Sequence, residues 1–312
     1  MTVSNALLAD VEGLAGRFSV EAQQDASAAV GRWRMDVAKL HPQLAATASR
    51  LADRALTWEA RNALNRTPDG ARLLLEWSEQ RRARPELPRF PFLSTEMAYA
   101  YCASIVHQRG TPQASRALEQ ARLVVLGLRR ETSTLDNKGL GVYDDHIAVL
   151  NGWNRRGSVK FFPASTEPGA QYAQRATRTG GKLLDDRYKG IQAAKHVHGE
   201  DVDRDGIRDA GRLLAGTYFF KDLGREFLDA PAFQAVAPQT VERDTNGDGR
   251  FTLSDADRID PKGVGRTMYI HRGGMNNTGS AGCQTIRKDY YPAFLSALGK
   301  DPRFFYVLVD CR

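Results

Sequence analysis

A change of hydrophobic period near Leu135–Gly141 constrains the fold of this chain more than any other feature. Before it, apolar residues recur at helical spacing, as at Leu44, Leu51 and Leu56. Asp69 is placed to cap a helix carrying Leu73, Leu74, Leu75 and Trp77. Ser94 or Thr95 opens another helix, with Met97, Tyr101, Ile105 and Val106 inward and Gly110 at its end. Thr111-Pro112 is a cap followed by proline at the first helical position, and that helix is expected to run through Leu118, Ala121, Val124, Val125 and Leu128. Pro85, Pro88 and Pro91 mark a turn between helices. After the change, short strand-like runs dominate: Val142 to Leu150, Val159 to Phe162 and Phe305 to Val309, separated by Gly-rich turns. The expectation is an α+β chain, with an all-α helical domain over residues 1–135 and a mostly-β domain over 136–312.

The 312 residues suffice for two such domains. The net charge of +7 would attract a polyanion. No aromatic-basic RNA motif, zinc-finger spacing or compact basic run accompanies it, so a solvated basic surface is preferred to nucleic-acid binding. No basic start followed by an apolar core is seen in Met1 to Phe18, and no apolar run is long enough to span a bilayer. The three cysteines, Cys102, Cys283 and Cys311, are too few and too far apart for a disulfide framework, although Cys102 and Cys311 could pair. Cys102 lies in an apolar helical pattern and reads as core.

The segment with chemical content is Tyr269 to Gln284. An apolar run from Thr267 to Ile270 delivers His271, and a loop rich in small residues leads to Ser280-Ala281-Gly282-Cys283, after which a helix-like segment is expected. A thiol becomes a nucleophile at neutral pH when an imidazole within reach takes its proton. Glycine before the cysteine lets a carbonyl approach, and the N–H groups of Gly282 and Cys283 are candidate oxyanion donors, aided if a helix begins there. A histidine twelve residues before a cysteine is by itself weak, because free cysteines are commonly core residues.

Ile270-His271-Arg272 and Ser280-Ala281-Gly282-Cys283-Gln284 resemble the active-site signature of L,D-transpeptidase (YkuD-like) domains, in a variant found in phage-associated and effector-like cell-wall enzymes. The loop between His271 and Ser280 is shorter than that family usually carries, and Ala281 and Thr285 stand where its common form has histidine and arginine. Tyr143-Asp144-Asp145, the run Phe161 to Gly169, and Leu214 to Tyr218 extend the similarity over roughly residues 140–298. The resemblance implies a cysteine enzyme acting on peptidoglycan stem peptides. Cys283 would be the nucleophile and His271 the base, with Ser280 and Gly282 at the catalytic loop and Gln284 supporting the oxyanion site. Arg272 and Arg287 would meet a substrate carboxylate, with a solvated surface or an ion pair as the alternative. The product would be a hydrolysed stem peptide (L,D-carboxypeptidase) or a transferred one (L,D-transpeptidase or D-amino-acid exchange). No cofactor is required for that chemistry.

Two acidic loops remain. Asp244-Thr245-Asn246-Gly247-Asp248-Gly249-Arg250, ending at Asp255, has EF-hand-loop spacing, with Asp244, Asn246, Asp248, the Arg250 carbonyl and Asp255 as candidate ligands of a structural Ca2+. The alternative is a metal-free hairpin turn. Asp201-Val202-Asp203-Arg204-Asp205-Gly206 repeats the theme but has Arg212 where the twelfth-position acid belongs, and is expected to hold calcium less readily. His196 and His198, just upstream, read as exposed loop histidines.

The functional expectation is therefore a peptidoglycan-modifying enzyme that lacks a signal peptide, acts in the periplasm of a target or host bacterium, and is delivered as an antibacterial effector (with a secretion apparatus and an immunity protein as partners) or by phage lysis. Its rivals are a calcium-dependent cell-wall-binding module with a structural Cys283, and a cysteine protease or amidase acting on proteins.

Overall fold

The computed structural model describes residues 95–152, 157–252, 254–260, 267–300 and 302–311. In chain order they form α1 (Thr95–Arg109), α2 (Pro112–Glu119), β1 (Val124–Arg129), β2 (Asp145–Asn151), β3 (Ser158–Ser165), β4 (Arg178–Thr179), β5 (Lys182–Leu183), β6 (Ala210–Leu213), β7 (Gly216–Glu226), β8 (Pro231–Ala235), β9 (Val241–Asp244), β10 (Ile259–Asp260), β11 (Ile270–Arg272), β12 (Gln284–Ile286), α3 (Tyr291–Leu298) and β13 (Arg303–Asp310). Eight strands close into a barrel in the order β1-β13-β7-β8-β11-β12-β3-β2, and β10-β9-β6 make a separate three-stranded sheet. The expected α+β chain with an all-helical first part is thus overturned for the described residues: they are mostly β, with three short α-helices. The helices expected around Leu44–Leu56 and Asp69–Trp77 lie outside the described residues. No helix among the described residues is long and apolar enough to cross a membrane.

Thr111 caps α2 as expected, its hydroxyl accepting from the Ala114 N–H at 3.4 Å. The helix then stops at Glu119 instead of running to Leu128, and Val124–Arg129 pairs in parallel with β13 and antiparallel with β2. A short continuous apolar run satisfies both helical and strand templates, and here its β-branched residues and its two strand neighbours decide. Every residue of β1 is buried, because both faces are covered. Val125 faces the barrel interior with Ile147, Phe162, Phe233, Ile270, Ile286 and Phe304. Val124, Leu126 and Leu128 face outward against Ile105, Val106 and Leu118 of α1 and α2. Cys102 and Cys311 lie in this outer layer and are not joined in a disulfide.

A buried ion cluster ties the small sheet to the barrel. Arg212 of β6 reaches Glu242 of β9 and Glu167, both at 2.7 Å, and Arg129 of β1 lies 3.7 Å from Glu242. All four side chains are at least nine-tenths buried, so each charge depends on its partners.

Candidate active site

The candidate residues sit on the adjacent parallel strands β11 and β12. Their register pairs Ile270 with Gln284, His271 with Thr285 and Arg272 with Ile286. The segment after Cys283 is therefore a strand, not the helix expected there, and α3 begins only at Tyr291. No helix N-terminus stands behind the cysteine. Side chains alternate along a strand, so Ile270 and Ile286 enter the barrel core while His271 and Thr285 share the outer face. Cys283 lies in the bend just before β12, two residues ahead of the Thr285 that pairs with His271.

His271 is 1% exposed, with the Phe227 ring packed edge-on at 4.9 Å. Its Nδ1 lies 2.9 Å from the Arg272 carbonyl oxygen. A carbonyl can only accept, so Nδ1 carries the proton and Nε2 holds the lone pair of the neutral ring. Burial drives the imidazole pKa down to about 4, so the ring is an uncharged proton acceptor at neutral pH. Burial also pushes the Cys283 thiol up to about 11, opposed by a backbone hydrogen bond at Tyr269. The half-buried thiol donates to the Thr267 carbonyl at 3.6 Å. Both groups are thus neutral, and no thiolate–imidazolium pair is preformed.

The loop before Cys283 is fixed by its own side chains. Ser280 Oγ donates to the Cys283 carbonyl at 2.7 Å and accepts the Gly282 N–H at 3.0 Å. Ser280 is consequently a positioning residue. Gly282 N–H is engaged in this bond, which leaves Cys283 N–H, without a hydrogen bond among the described residues, as the oxyanion donor of the two. Gly282 has φ of +128°, and a Cβ there would collide with the Gly211 carbonyl oxygen of β6 and lie 2.7 Å from Met268 Sδ and Cε. Only glycine fits that backbone and that space. Gln284 is fully buried. It donates to the Gly282 carbonyl at 3.2 Å and accepts from Tyr306 Oη at 3.0 Å, so it braces the loop from inside the barrel.

The longer connection from Gly273 to Gly279 is pinned by residues far away in sequence. Thr278 N–H donates to Leu140 O at 2.9 Å, Asn277 and Gln171 exchange amide hydrogen bonds, and Gly169 N–H donates to Ser280 O at 2.8 Å. Tyr143 Oη donates to Gly274 O at 2.9 Å. Tyr172, beside Gln171, stands close enough to Cys283 for the sulfur to add to the burial that raises its phenol. Sequence reasoning missed Tyr172, Phe227 and the Arg272 carbonyl. Tyr172 and Phe227 carry no local motif, and a backbone carbonyl leaves no mark in a sequence. Arg272 turns its guanidinium to Leu228 O at 2.6 Å. Arg287 pairs with Asp289 at 2.8 Å and covers the Tyr290 ring, at the surface beyond β12.

Loop 244–255 closes on itself. Asp244 accepts from Asp248 N–H at 3.1 Å and Gly249 N–H at 2.9 Å, Asp248 accepts from Arg250 N–H at 2.8 Å, and Asp255 accepts from Asn246 and Thr252 N–H. Burial, then the nearby Asp255 and Asp248, lifts Asp244 to about 7. Such an excess of anionic oxygens suits a hard cation. Among the described residues, however, the three carboxylates with an oxygen each within 4.8 Å of one another are Asp201, Asp203 and Asp209, in the other acidic loop. His196 and His198 are exposed, and the His198 ring packs edge-on against Tyr172 at 5.8 Å.

Comparison of the chain with protein-family models, with curated proteins and with solved structures found no match.

Proposed function

We propose that the chain is a cysteine acyl-transfer enzyme acting on peptidoglycan stem peptides. The observation that supports this reading is the pairing of β11 with β12, which brings a neutral, Nδ1-protonated His271 opposite Thr285, two residues after Cys283. The stem-peptide substrate rests on the resemblance of Ile270 to Gln284 to L,D-transpeptidase domains. His271 Nε2 takes the Sγ proton as sulfur attacks the carbonyl preceding the terminal D-alanine, and Cys283 N–H meets the oxyanion. The imidazolium returns the proton to the departing amine, leaving a thioester. Water then completes carboxypeptidase action, and an amine acceptor completes transpeptidation or exchange. We place this activity in the periplasm of a target or host bacterium, with a secretion apparatus and an immunity protein as partners of a delivered effector, or in phage lysis. Loop 244–255 would hold a structural Ca2+ through Asp244, Asn246, Asp248, the Arg250 carbonyl and Asp255, and the ion takes no part in acyl transfer.

A cell-wall-binding module with a structural cysteine is the second reading. It is favoured by the raised thiol and its bond to the Thr267 carbonyl. The experiment that separates them incubates wild type and Cys283→Ala with Gram-negative sacculi and identifies muropeptides by mass spectrometry. Tetrapeptides shortened to tripeptides, new diaminopimelate cross-links or exchanged terminal residues, all lost in Cys283→Ala, support the enzyme. Unchanged muropeptides with both proteins, in the presence of calcium, reject it. Cleavage of casein with unchanged muropeptides would point to a protease.

A further inference from the structure

The loop 201–209 differs from an ordinary acidic surface turn in one respect. Its last carboxylate, Asp209, is fully buried, and its Oδ1 has no hydrogen-bond partner. A buried carboxylate oxygen without a donor is costly unless something positive meets it. The nearest cation is Arg175, whose NH2 lies 3.7 Å away, beyond hydrogen-bond range, and instead donates to Thr245 O at 2.8 Å. The other Asp209 oxygen accepts from Val202 N–H at 3.1 Å. One oxygen each of Asp201, Asp203 and Asp209 come within 4.8 Å of one another. The loop's backbone is already wound around that point. Gly206 N–H donates to Asp201 at 3.1 Å, Asp205 N–H to Asp203 at 3.2 Å, and Gly206 takes φ of +87° at the turn.

We propose that Asp201, Asp203 and Asp209 form a calcium site distinct from loop 244–255. The donor set is all oxygen, with no thiol or imidazole in the group, which selects a hard cation over zinc or copper. Three carboxylates on a flexible loop suit calcium's long, irregular coordination better than the strict octahedron of magnesium. Asp205, 3.3 Å from Arg175, stays in an ion pair at the rim. The buried Asp209 takes the place of the twelfth-position acid that the sequence lacks.

The site is tied to the catalytic loop by two short routes. Asp209 leads directly into β6, whose Gly211 carbonyl backs the Gly282 Cα. Upstream, His198 N–H donates to Tyr172 O at 2.8 Å, and Tyr172 lies within electrostatic reach of Cys283. A bound cation would hold both routes.

The test is calorimetric titration of Ca2+ into full-length, chelator-treated protein, with Asp201→Asn/Asp203→Asn and Asp248→Asn as variants. Far-UV circular dichroism checks that each variant is folded, and both changes are isosteric and lie outside the fully buried positions. The expected result is that the double variant loses one calcium equivalent, or binds it about tenfold or more weakly, while Asp248→Asn retains it. Asp209→Asn, where folded, should behave as the double variant does. The proposal is overturned if the wild type takes up no Ca2+ at about 1 mM, or if the double variant keeps wild-type stoichiometry and affinity. None of these readouts depends on enzymatic activity.

Discussion

Replacing Gly282 with alanine tests whether the catalytic loop is set by its contact with β6. The added methyl would overlap the Gly211 carbonyl oxygen and sit 2.7 Å from Met268 Sδ. The Met268 thioether end can swing aside, but the Gly211 carbonyl cannot, because Gly211 is held in register opposite Arg243. The loop itself must therefore move. Strain of a non-glycine residue at φ of +128° costs about 1–3 kcal/mol. Overpacking adds about 1–3 kcal/mol. The stiffer unfolded chain offsets about 0.4–1 kcal/mol. The net loss is roughly 1–5 kcal/mol, which for a domain of this size lowers Tm by roughly 2–20 °C. Gly279→Ala is the control. It also has positive φ, +65°, but a Cβ there meets nothing within 4 Å, so the expected loss is below about 1 kcal/mol. Calorimetric melting of the two variants compares a glycine at a backbone closed to other residues and with its Cβ space filled against one in the milder left-handed region with open space. On the proposed function, a displacement of the loop by about 1 Å would also cut turnover of muropeptides by about 100-fold in Gly282→Ala. If the two variants melt within about 2 °C of each other, the contact with β6 does not set the loop and the reasoning fails.

Four further outcomes are expected. His271, held at about 4 against 6.5 when unfolded, contributes stability that is present above pH 6.5 and lost as pH falls through 4; urea unfolding should show roughly 3 kcal/mol of that loss in wild type and not in His271→Asn, and equal pH slopes would refute the burial argument. Alkylation of Cys283 by iodoacetamide should be slow at pH 7 and rise toward pH 11, whereas a plateau below pH 7 would reveal a preformed ion pair. Gln284→Met should orphan the buried Tyr306 hydroxyl and cost about 1–3 kcal/mol, most of it recovered in Gln284→Met/Tyr306→Phe, and denaturant midpoints that show no coupling would contradict the bond. Arg212→Met should destabilise by about 3–5 kcal/mol by stranding Glu167, while Glu242 keeps Arg258 and Arg129, and a chemical melt within about 1 kcal/mol of wild type would show that the cluster is relieved by water.

The sequence by itself singled out His271, Gly282 and Cys283 as candidates, because they carry their chemistry in residue type and local spacing. It also set α1 and the start of α2, whose Thr111-Pro112 cap acts within a few residues. What it left open depends on partners distant in the chain. Val124–Arg129 is a strand because β13, almost two hundred residues later, pairs with it. Gln284 follows Cys283 as a strand because β11 offers it a parallel ladder, which removed the helix N-terminus expected to hold an oxyanion. The second acidic loop is a further case: local spacing put Arg212 at its twelfth position, whereas Asp201, Asp203 and Asp209 are the carboxylates that converge, with Asp209 buried just ahead of β6. Residue chemistry and turn propensity are local and survive in one dimension, whereas burial, strand register and the direction of a carboxylate exist only once the barrel has closed.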